Sequence, residues 1–432
     1  MTNDSHIAAD PIPAKAEDKQ FDRKAPLVDY PGSPEDRYDA MEKQFLKSKK
    51  LRVLINGIHA KSGGGITYLQ NILPLLAEDP DLELHLFLHP DQYVLFGLVD
   101  ERVHIHLMDY NSGFFSALYR EQASLPILAR AMSADVTLSP ANYGPLFAPA
   151  QVIVLRNSLA VAGRETRLIK RLYWAALTLM TALSLSRCRK AIAVSKYARN
   201  ALTFGLGSRL INKVAVVHHG VRDVFQPSNP SRSENFLLAV SDIYVQKNLH
   251  TLISALPEIK RRSPDISLKI AGRAIDKGYL AEIQTVINEN NLQDSVEFLG
   301  PQTTEQLVDL YQRCKVFVFP STVETFGNPL VEAMASGAPI ASSNTAAMPE
   351  IVDDAALFFN PLDVNDLALK VSALLNDDEL RQTMRQKAIR RSQDFSWELT
   401  ARKTARVLKE AAPKERRMAI GINLNENTEG AR

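Results

Sequence analysis

The sequence predicts an α/β protein organised as two successive domains, each built on a parallel sheet. Short apolar runs rich in β-branched residues, such as 51–56 and 316–319, are typical of buried strands, and helical patterns separate one run from the next. Alternating strands and helices favour a parallel sheet that is covered on both faces. The chain has 432 residues, a length that suits two domains.

The first alternation gives a predicted N-terminal domain over residues 49–225. After the strand at 51–56 comes a glycine loop, Gly63-Gly64-Gly65, and then a helical pattern over 66–77. Residues 1–48 hold many charges, with five prolines in the first 34 positions, and predict a flexible polar leader. Further strands are predicted at 82–88, 103–107, 136–138, 152–155 and 191–194.

The second alternation gives a predicted C-terminal domain over residues 234–411, after a turn-rich linker at 226–233. Residues 412–432 predict a frayed tail. Because ligands of open parallel sheets bind at the carboxyl ends of the strands, we expect the two domains to face a central cleft. The predicted strands are 236–240, 267–271, 296–299 and 316–319, and the predicted helices are 247–262, 278–291, 303–313 and most of 363–411.

The composition excludes several classes of protein. Apolar residues make up 45% and charged residues 23% of the chain, which is typical of a globular protein. A net charge of +2 argues against nucleic-acid binding. Two cysteines, Cys188 and Cys314, exclude a disulfide scaffold and fit a reducing compartment. The polar N-terminus shows no signal peptide, so the sequence predicts a cytoplasmic protein.

One apolar segment, Leu172–Leu185, lies within a strongly basic region. It is shorter than the roughly 20 residues that a membrane-spanning helix needs, so it predicts a buried helix. Residues 151–200 carry ten Lys or Arg residues against one acidic residue, a local charge of +9. This basic segment is either a solvated helix face or a surface that attracts an anionic leaflet or substrate.

The most informative segment follows the strand at 316–319. Asn328 is predicted as the N-cap of a short helix, with Pro329 as its first residue and Gly337 as its end. The helix N-terminus would then point into the cleft, where backbone amides and the helix dipole can hold a phosphate. Glu324 on the loop and Glu332 one turn into the helix could hold two parts of one elongated ligand.

This segment resembles the signature of two glutamates separated by seven residues that marks family 4 of the retaining glycosyltransferases of the GT-B class. The resemblance covers about 51–410 and is strongest in the C-terminal half. It implies two Rossmann-like domains that face a central cleft, with the acceptor on the N-terminal and the nucleotide sugar on the C-terminal side. Other matching segments are Ala193–Ser195, Val216–Phe225, Lys247–Leu249, Phe298–Gly300, Pro320–Ser321 and Met348–Ile351.

The resemblance also implies roles for individual residues. Glu324 would contact hydroxyls of the donor sugar, Glu332 would bind the nucleotide ribose, and Lys247 would neutralise the diphosphate. Family members form the new bond on the face that the nucleotide leaves and need no metal, so the only implied co-substrate is the nucleotide sugar. Backbone amides would wrap the sugar and phosphates at Phe326, Gly327, Asn328, Pro329 and Leu330.

Gly64 and Gly65 match the glycine loop of the family's N-terminal domain. Glycine allows backbone amides to approach a phosphate or sugar closely, although a structural turn is the alternative explanation. The spacing does not fit a dinucleotide fingerprint. No metal site is expected either, since His104 and His106 share a strand face without a third ligand of suitable spacing.

The sequence departs from the family pattern at two places. Arg156 stands where many members carry a histidine, so it is a candidate catalytic residue that could contact sugar or phosphate or orient the acceptor. Ser241 and Asp242 stand where many members have a Gly-Arg pair, and Arg273 is a candidate substitute for the missing cation. These departures keep a degenerate enzyme open as an alternative.

The resemblance therefore predicts a retaining glycosyltransferase that uses a nucleotide sugar and a glycan or lipid-linked acceptor. If the basic segment 151–200 attracts an anionic leaflet, it predicts peripheral contact with the inner face of the membrane. A non-catalytic nucleotide-sugar-binding scaffold, or a phosphorylase or epimerase of the same architecture, stays an alternative.

Overall fold

Two parallel sheets form the framework of the protein in the computed structural model. The structure describes residues 50–60, 64–96, 99–110, 113–158, 168–204, 207–228 and 233–422. The predicted leader 1–48, Gly63, the middle of the predicted linker and the end of the predicted tail lie outside these residues. The described chain has the predicted fold class, with two Rossmann-like α/β domains.

The first sheet has seven parallel strands in the order β3-β2-β1-β4-β5-β6-β7. Its core strands are near-continuous apolar runs, because helices cover both faces; all six residues of β1 are buried. The strand order reverses between β1 and β4, which is where open sheets of this kind bind ligands. The strands are β1 (Leu51–Asn56), β2 (Leu82–Leu88), β3 (Val103–Leu107), β4 (Val136–Ser139), β5 (Gln151–Leu155), β6 (Lys190–Ala193) and β7 (Val214–Val216).

The second sheet has six parallel strands in the order β10-β9-β8-β11-β12-β13. Its strand order reverses between β8 and β11, so this sheet also has a ligand-binding edge at the carboxyl ends of its strands. The strands are β8 (Phe236–Val240), β9 (Ser267–Ala271), β10 (Val296–Gly300), β11 (Val316–Phe319), β12 (Ile340–Ser343) and β13 (Leu357–Phe359).

Helices connect the strands and cover both sheets. In the first half they are α1 (Gly64–Ala77), α2 (Tyr93–Phe96), α3 (Phe114–Tyr119), α4 (Leu125–Ala131), α5 (Leu168–Arg187), α6 (Lys196–Leu202) and α7 (Ser208–Ile211). In the second half they are α8 (Leu249–Arg262), α9 (Lys277–Glu289), α10 (Thr304–Arg313), α11 (Asn328–Ala335), α12 (Met348–Val352), α13 (Val364–Asn376), α14 (Asp378–Ser392), α15 (Trp397–Ala411) and α16 (Lys414–Ala419).

Helix α15 joins the two halves of the molecule. Its buried face, which includes Trp397 and Leu408, packs against α1 and the strands β4 to β6 of the first sheet. Lys409 reinforces this contact, because its Nζ lies 2.9 Å from Asp79 and 2.6 Å from Asp81. We expect this helix in the second domain from the sequence, but its apolar face is buried on the first. Beyond it, α16 is ordered where we expected a frayed tail.

The prediction of a buried helix at Leu172–Leu185 is wrong for one face of α5. Leu172, Leu179 and Leu183 are 63%, 60% and 41% exposed, whereas the polar Thr181 and Ser184 are fully buried. The helix thus presents Leu172, Leu179 and Leu183 outward and buries Thr181 and Ser184 together with Leu185. The buried hydroxyls are hydrogen-bonded: Thr181 Oγ1 donates to the Leu177 carbonyl at 2.8 Å, and Ser184 Oγ donates to the Gly144 carbonyl at 3.4 Å.

None of the helices in the described ranges combines the length and the hydropathy that crossing a lipid bilayer requires.

Candidate active site

The two ligand-binding edges of the sheets face each other across a cavity of about 470 Å³. Arg156, Lys247 and Glu324, the three residues predicted as catalytic, all line it. The structure thereby brings together side chains that lie far apart in the sequence. The rest of its wall comes from His59, Pro140, Ala141, Asn142, Tyr143, Asn157, Ser158, Tyr173, Trp174, Leu177, Thr181, Gln246, Val323 and Thr325.

Lys247 and Glu324 form an ion pair on the C-terminal side of this cavity. Lys247 ends a short 3-10 turn directly before α8, and Glu324 lies on the loop between β11 and α11. The lysine Nζ lies 2.6 Å from Glu324 Oε1, and both side chains are less than one-fifth exposed. The pair keeps a positive and a negative group together at the cavity surface.

Arg156 provides a positive charge on the opposite wall. It follows β5, where the Asn142 side-chain oxygen accepts hydrogen bonds from the backbone N–H groups of Arg156 and Asn157 at 2.8 and 3.0 Å. The Arg156 Nε is buried without a hydrogen-bond partner, and no acidic side chain of the described residues pairs with the guanidinium. Burial lowers the pKa of Arg156. A buried, unpaired cation is costly, so the wall is suited to an anion.

The glycine loop packs directly on this guanidinium. A Cβ atom added at Gly65 would lie 2.9 Å from Arg156 Nη2, whereas one added at Gly64 would lie 3.7 Å from Nη1 and 3.8 Å from Asn328 Nδ2. The first residues of α1 and of α11 therefore meet beside Arg156. Two helix N-termini and a guanidinium converge here, and each of them attracts negative charge.

The start of α11 differs by one residue from the prediction. Asn328 is the first helical residue, Pro329 is the second, and the N-cap is Gly327 with a φ of +92°. The left-handed backbone at Gly327 turns the loop into the helix one residue earlier than expected. The Asn328 side chain does not cap the helix but bonds through Oδ1 to His219 Nδ1 at 3.2 Å. At the other end Gly337 adopts a φ of +70°, as expected for a helix stop.

The loop before α11 is fastened to the N-terminal domain. Ser195 Oγ donates a hydrogen bond to the Thr325 carbonyl at 2.6 Å, and Thr325 Oγ1 donates one to the Arg156 carbonyl. Phe326 and Leu330 bury their side chains in the core. Side-chain contact with a ligand is thus excluded for these two residues, and only their backbone groups could serve the predicted wrapping of a sugar or phosphate.

Two predicted donor-binding side chains do not line the cavity. Glu332 accepts a hydrogen bond from the Tyr311 hydroxyl through Oε2 at 3.1 Å, and burial raises its pKa. Arg273 is half-exposed and pairs with Asp242 at 2.8 Å, so its guanidinium is already engaged by a residue of the Ser241-Asp242 departure. This geometry gives no support to Arg273 as a substitute phosphate cation.

Sequence reasoning missed several residues of the cavity wall. Trp174 lines the cavity together with Tyr143 and Tyr173. His59 follows β1 and Tyr143 follows β4, at the two strands between which the sheet order reverses. Their position just after strand ends is the one sequence signal that could have identified them. It was not sufficient, because spacing along the chain does not give the order of strands in the sheet.

The C-terminal half resembles a family of known proteins. Residues 221–391 match the model of the family described as glycosyl transferases group 1. An uncharacterized glycosyltransferase of Methanocaldococcus jannaschii is 32% identical over 211 residues, which are 48% of this chain and 56% of that protein. The serotype-specific mannosyltransferase WbdA of Escherichia coli is 30% identical over 226 residues, 51% of this chain and 27% of WbdA. The chain thus spans little more than half of the first relative and about a quarter of the second.

Solved structures share the fold over most of the chain. HepE of Anabaena in complex with UDP-glucose superposes with a TM-score of 0.67 at 18% identity, covering 82% of this chain and 98% of HepE. WaaG, a glycosyltransferase involved in lipopolysaccharide biosynthesis, superposes with a TM-score of 0.64 at 13% identity, covering 82% of this chain and 99% of WaaG. These likenesses confirm the predicted fold class, the two-domain GT-B architecture.

Proposed function

We propose that the protein is a family 4 retaining glycosyltransferase, because residues 221–391 match the model of the glycosyl transferases group 1 family and the chain has the GT-B fold. It moves a sugar from a nucleotide-sugar donor to a glycan or lipid-linked acceptor. The donor lies between Arg156 and the Lys247–Glu324 pair, and the acceptor approaches from the N-terminal domain.

The observation that carries this proposal is the Arg156 guanidinium, which has no acidic partner among the described residues and lies beside the starts of α1 and α11. A diphosphate would satisfy the guanidinium, the helix amides and Lys247 at once. The hydroxyls of its sugar would then reach Glu324. In this arrangement the departing phosphate and the transferred sugar each gain charged partners from the cavity wall.

The transfer step is as follows. The bond between the anomeric carbon and the phosphate oxygen breaks, and its electron pair stays on the phosphate. The acceptor oxygen bonds to the same face of that carbon, and its proton passes to the departing phosphate. Lys247 and Arg156 stabilise the negative charge that develops on the diphosphate, the role that a metal ion has in other transferases, and the proposal therefore needs no metal.

The proposed place of action is the cytoplasm at the inner face of the membrane. The outward leucines of α5 lie between exposed Arg171 and the exposed pair Arg187 and Arg189. Apolar residues flanked by arginines suit an anionic lipid surface, which a lipid-linked acceptor would share. On the opposite side, α5 contributes Trp174 and Leu177 to the cavity.

A thermal-shift screen against UDP, GDP, ADP, TDP and their common sugars tests the donor site. Binding to the native state raises the melting temperature by mass action. We expect one nucleotide class to stabilise the wild type and to stabilise Arg156→Ala much less. Arg261→Ala, which removes an exposed arginine from α8, is the matched control and should respond like the wild type.

The anomeric configuration of the first product, followed by NMR, tests retention. A product with the donor's configuration supports the proposal, and the opposite configuration excludes family 4 chemistry. If no nucleotide stabilises the folded wild type, the donor site has been lost and the non-catalytic scaffold replaces the enzyme as the better explanation.

A further inference from the structure

A buried carboxylate lies behind the N-terminal wall of the cleft, and the donor chemistry above does not use it. Glu121 is fully buried in a π-helical turn, Arg120–Ser124, between α3 and α4. Its Oε1 accepts a hydrogen bond from Asn56 Nδ2 at 2.7 Å, and its Oε2 accepts one from Gln122 Nε2 at 3.3 Å.

Glu121 has no lysine or arginine partner among the residues that the structure describes. Burying a carboxylate without a cation is costly, so a role at the site explains Glu121 better than fold stability does. π-Helical turns occur frequently at functional sites, which adds an independent indication.

His59 connects this carboxylate to the cavity. Its Nε2 lies 3.2 Å from Glu121 Oε1, while the side chain is 24% exposed and lines the cavity wall. Nε2 has no hydrogen-bond partner among the described residues, so its contact with Glu121 is one of charge, and the negative charge favours a proton on Nε2. Because Nε2 is the buried nitrogen, the accessible nitrogen is Nδ1, whose lone pair can accept a hydrogen bond from a ligand hydroxyl.

Aromatic rings complete this part of the wall. The Tyr143 ring stands edge-on to His59 with 5.2 Å between the ring centroids, and Tyr173 and Trp174 line the same cavity. Aromatic faces pack against the apolar C–H face of a sugar ring, and the Nδ1 lone pair of His59 can accept a hydrogen bond from one of the sugar's hydroxyls. Lys247 and Glu324 occupy the other side, so the two walls differ in chemistry.

We propose that His59, positioned by Glu121, binds a hydroxyl of the acceptor, and that the acceptor therefore presents a sugar unit to this wall. His59 touches the acceptor and Glu121 acts through His59. The inference rests on the proposed function for its assignment of the bound sugar to the acceptor; the sugar site itself is separate from the nucleotide site.

Imidazole NMR can detect the site without any turnover. The probes are the methyl α-glycosides of glucose, mannose, galactose and N-acetylglucosamine at millimolar concentration, with and without the nucleotide that stabilises the protein. His59→Asn assigns the His59 signals, and His250→Asn provides the matched control on α8. We expect at least one glycoside to shift His59 and to leave His250 unchanged.

Affinities then separate the positioning role from a structural one. Glu121→Gln and His59→Asn should each weaken binding of that glycoside about threefold to tenfold, the effect of one lost hydrogen bond. The thermal shift produced by the nucleotide should stay the same in both variants, since the donor wall is untouched. His59 is partly exposed, so its substitution leaves the fold intact even if Glu121→Gln proves unstable.

The inference is overturned if none of the four glycosides shifts His59, or if His59→Asn binds the glycoside as well as the wild type does. Failure of the proposed function looks different: no nucleotide would then stabilise the wild type, whatever the glycosides do.

Discussion

Lys247 Nζ lies 2.6 Å from Glu324 Oε1, so the residue assigned to the diphosphate and the residue assigned to the sugar are partners of each other. A nucleotide sugar would exchange this ion pair for two new contacts, phosphate to lysine and hydroxyl to carboxylate. A nucleoside diphosphate without a sugar would gain only the first and would meet the glutamate's negative charge.

This relationship predicts opposite effects of Glu324→Gln on binding and on transfer. We expect a nucleoside diphosphate to bind about threefold to tenfold more tightly, because the lysine loses its internal competitor. Sugar transfer should fall at least about tenfold, because the sugar loses a charged hydrogen-bond acceptor. Calorimetry and a transfer assay measure the two effects. Glu297→Gln, at an exposed carboxylate of the same domain, should change neither. Weaker diphosphate binding in Glu324→Gln would refute the explanation.

Adjacent glycines provide a second, matched test. Gly65→Ala would bring its Cβ within 2.9 Å of Arg156 Nη2 and displace the guanidinium, whereas Gly64→Ala makes an ordinary contact at 3.7 Å. The arginine tip can move, so both variants should fold with similar melting temperatures. We expect Gly65→Ala to weaken nucleotide binding about tenfold, within the range for a charged hydrogen bond, and Gly64→Ala to bind like the wild type. Equal affinities would show that Arg156 does not face the nucleotide.

A group of buried histidines predicts a loss of stability in mild acid. His85 and His106 bond through their ring nitrogens at 2.9 Å, His104 stacks on His85, and Glu83 contacts the other His85 nitrogen at 2.8 Å. Burial lowers the pKa of His85 to about 4, and the pKa of His106 is also well below its usual value. These rings are therefore neutral in the folded protein at neutral pH.

The sign of the effect follows from proton binding. An unfolded histidine takes up a proton near pH 6.5, while folded His85 does so only near pH 4. The unfolded state thus binds more protons as pH falls through this window, and stability declines by on the order of 3 kcal/mol for His85. Urea unfolding between pH 7.5 and 4.5 measures the slope. His85→Gln should flatten it, and His250→Asn in the other domain should not.

The outward face of α5 predicts binding to anionic membranes. Leu179→Gln combined with Leu183→Gln should weaken binding to phosphatidylglycerol vesicles by about tenfold or more, since each buried leucine contributes about 1.5–3 kcal/mol. Both side chains are exposed, so the melting temperature should not change. Leu369→Gln, at an exposed leucine of α13, is the control. Vesicle flotation that is insensitive to salt and to the double substitution would contradict the prediction.

Local patterns gave most of the strands and helices. β1, β2, β3, β8, β9 and β11 have the predicted bounds, because buried parallel strands are apolar runs that need no context to be recognised. β7 and β13 were missed because each has three residues, too few for a pattern to stand out. β12 was missed because Ile340–Ser343 ends in two serines and looks like a loop.

The direction in which α5 faces could not be obtained from its sequence. Leucines and hydroxyl-bearing residues alternate along it, and the usual rule would bury the leucines. The structure buries Leu185 but exposes Leu179 and Leu183, and it buries Thr181 and Ser184, whose hydroxyls bond to carbonyls of the helix and of Gly144. Only the packing against β5 and its loops decides which side is covered.

The sequence by itself determined the two α/β domains and the loop and helix that carry Glu324. It also singled out Lys247 and Arg156 as candidates, and both line the cavity. These features rest on local order along the chain, which spacing and residue type express directly. The tertiary structure alone decided which groups are in contact. These contacts join Lys247 to Glu324, Arg156 to Gly65, Arg273 to Asp242, and His59 to Glu121. Each of these depends on which strand ends and helix starts the fold brings together, and the order of strands in a sheet is not written in any local stretch of the chain.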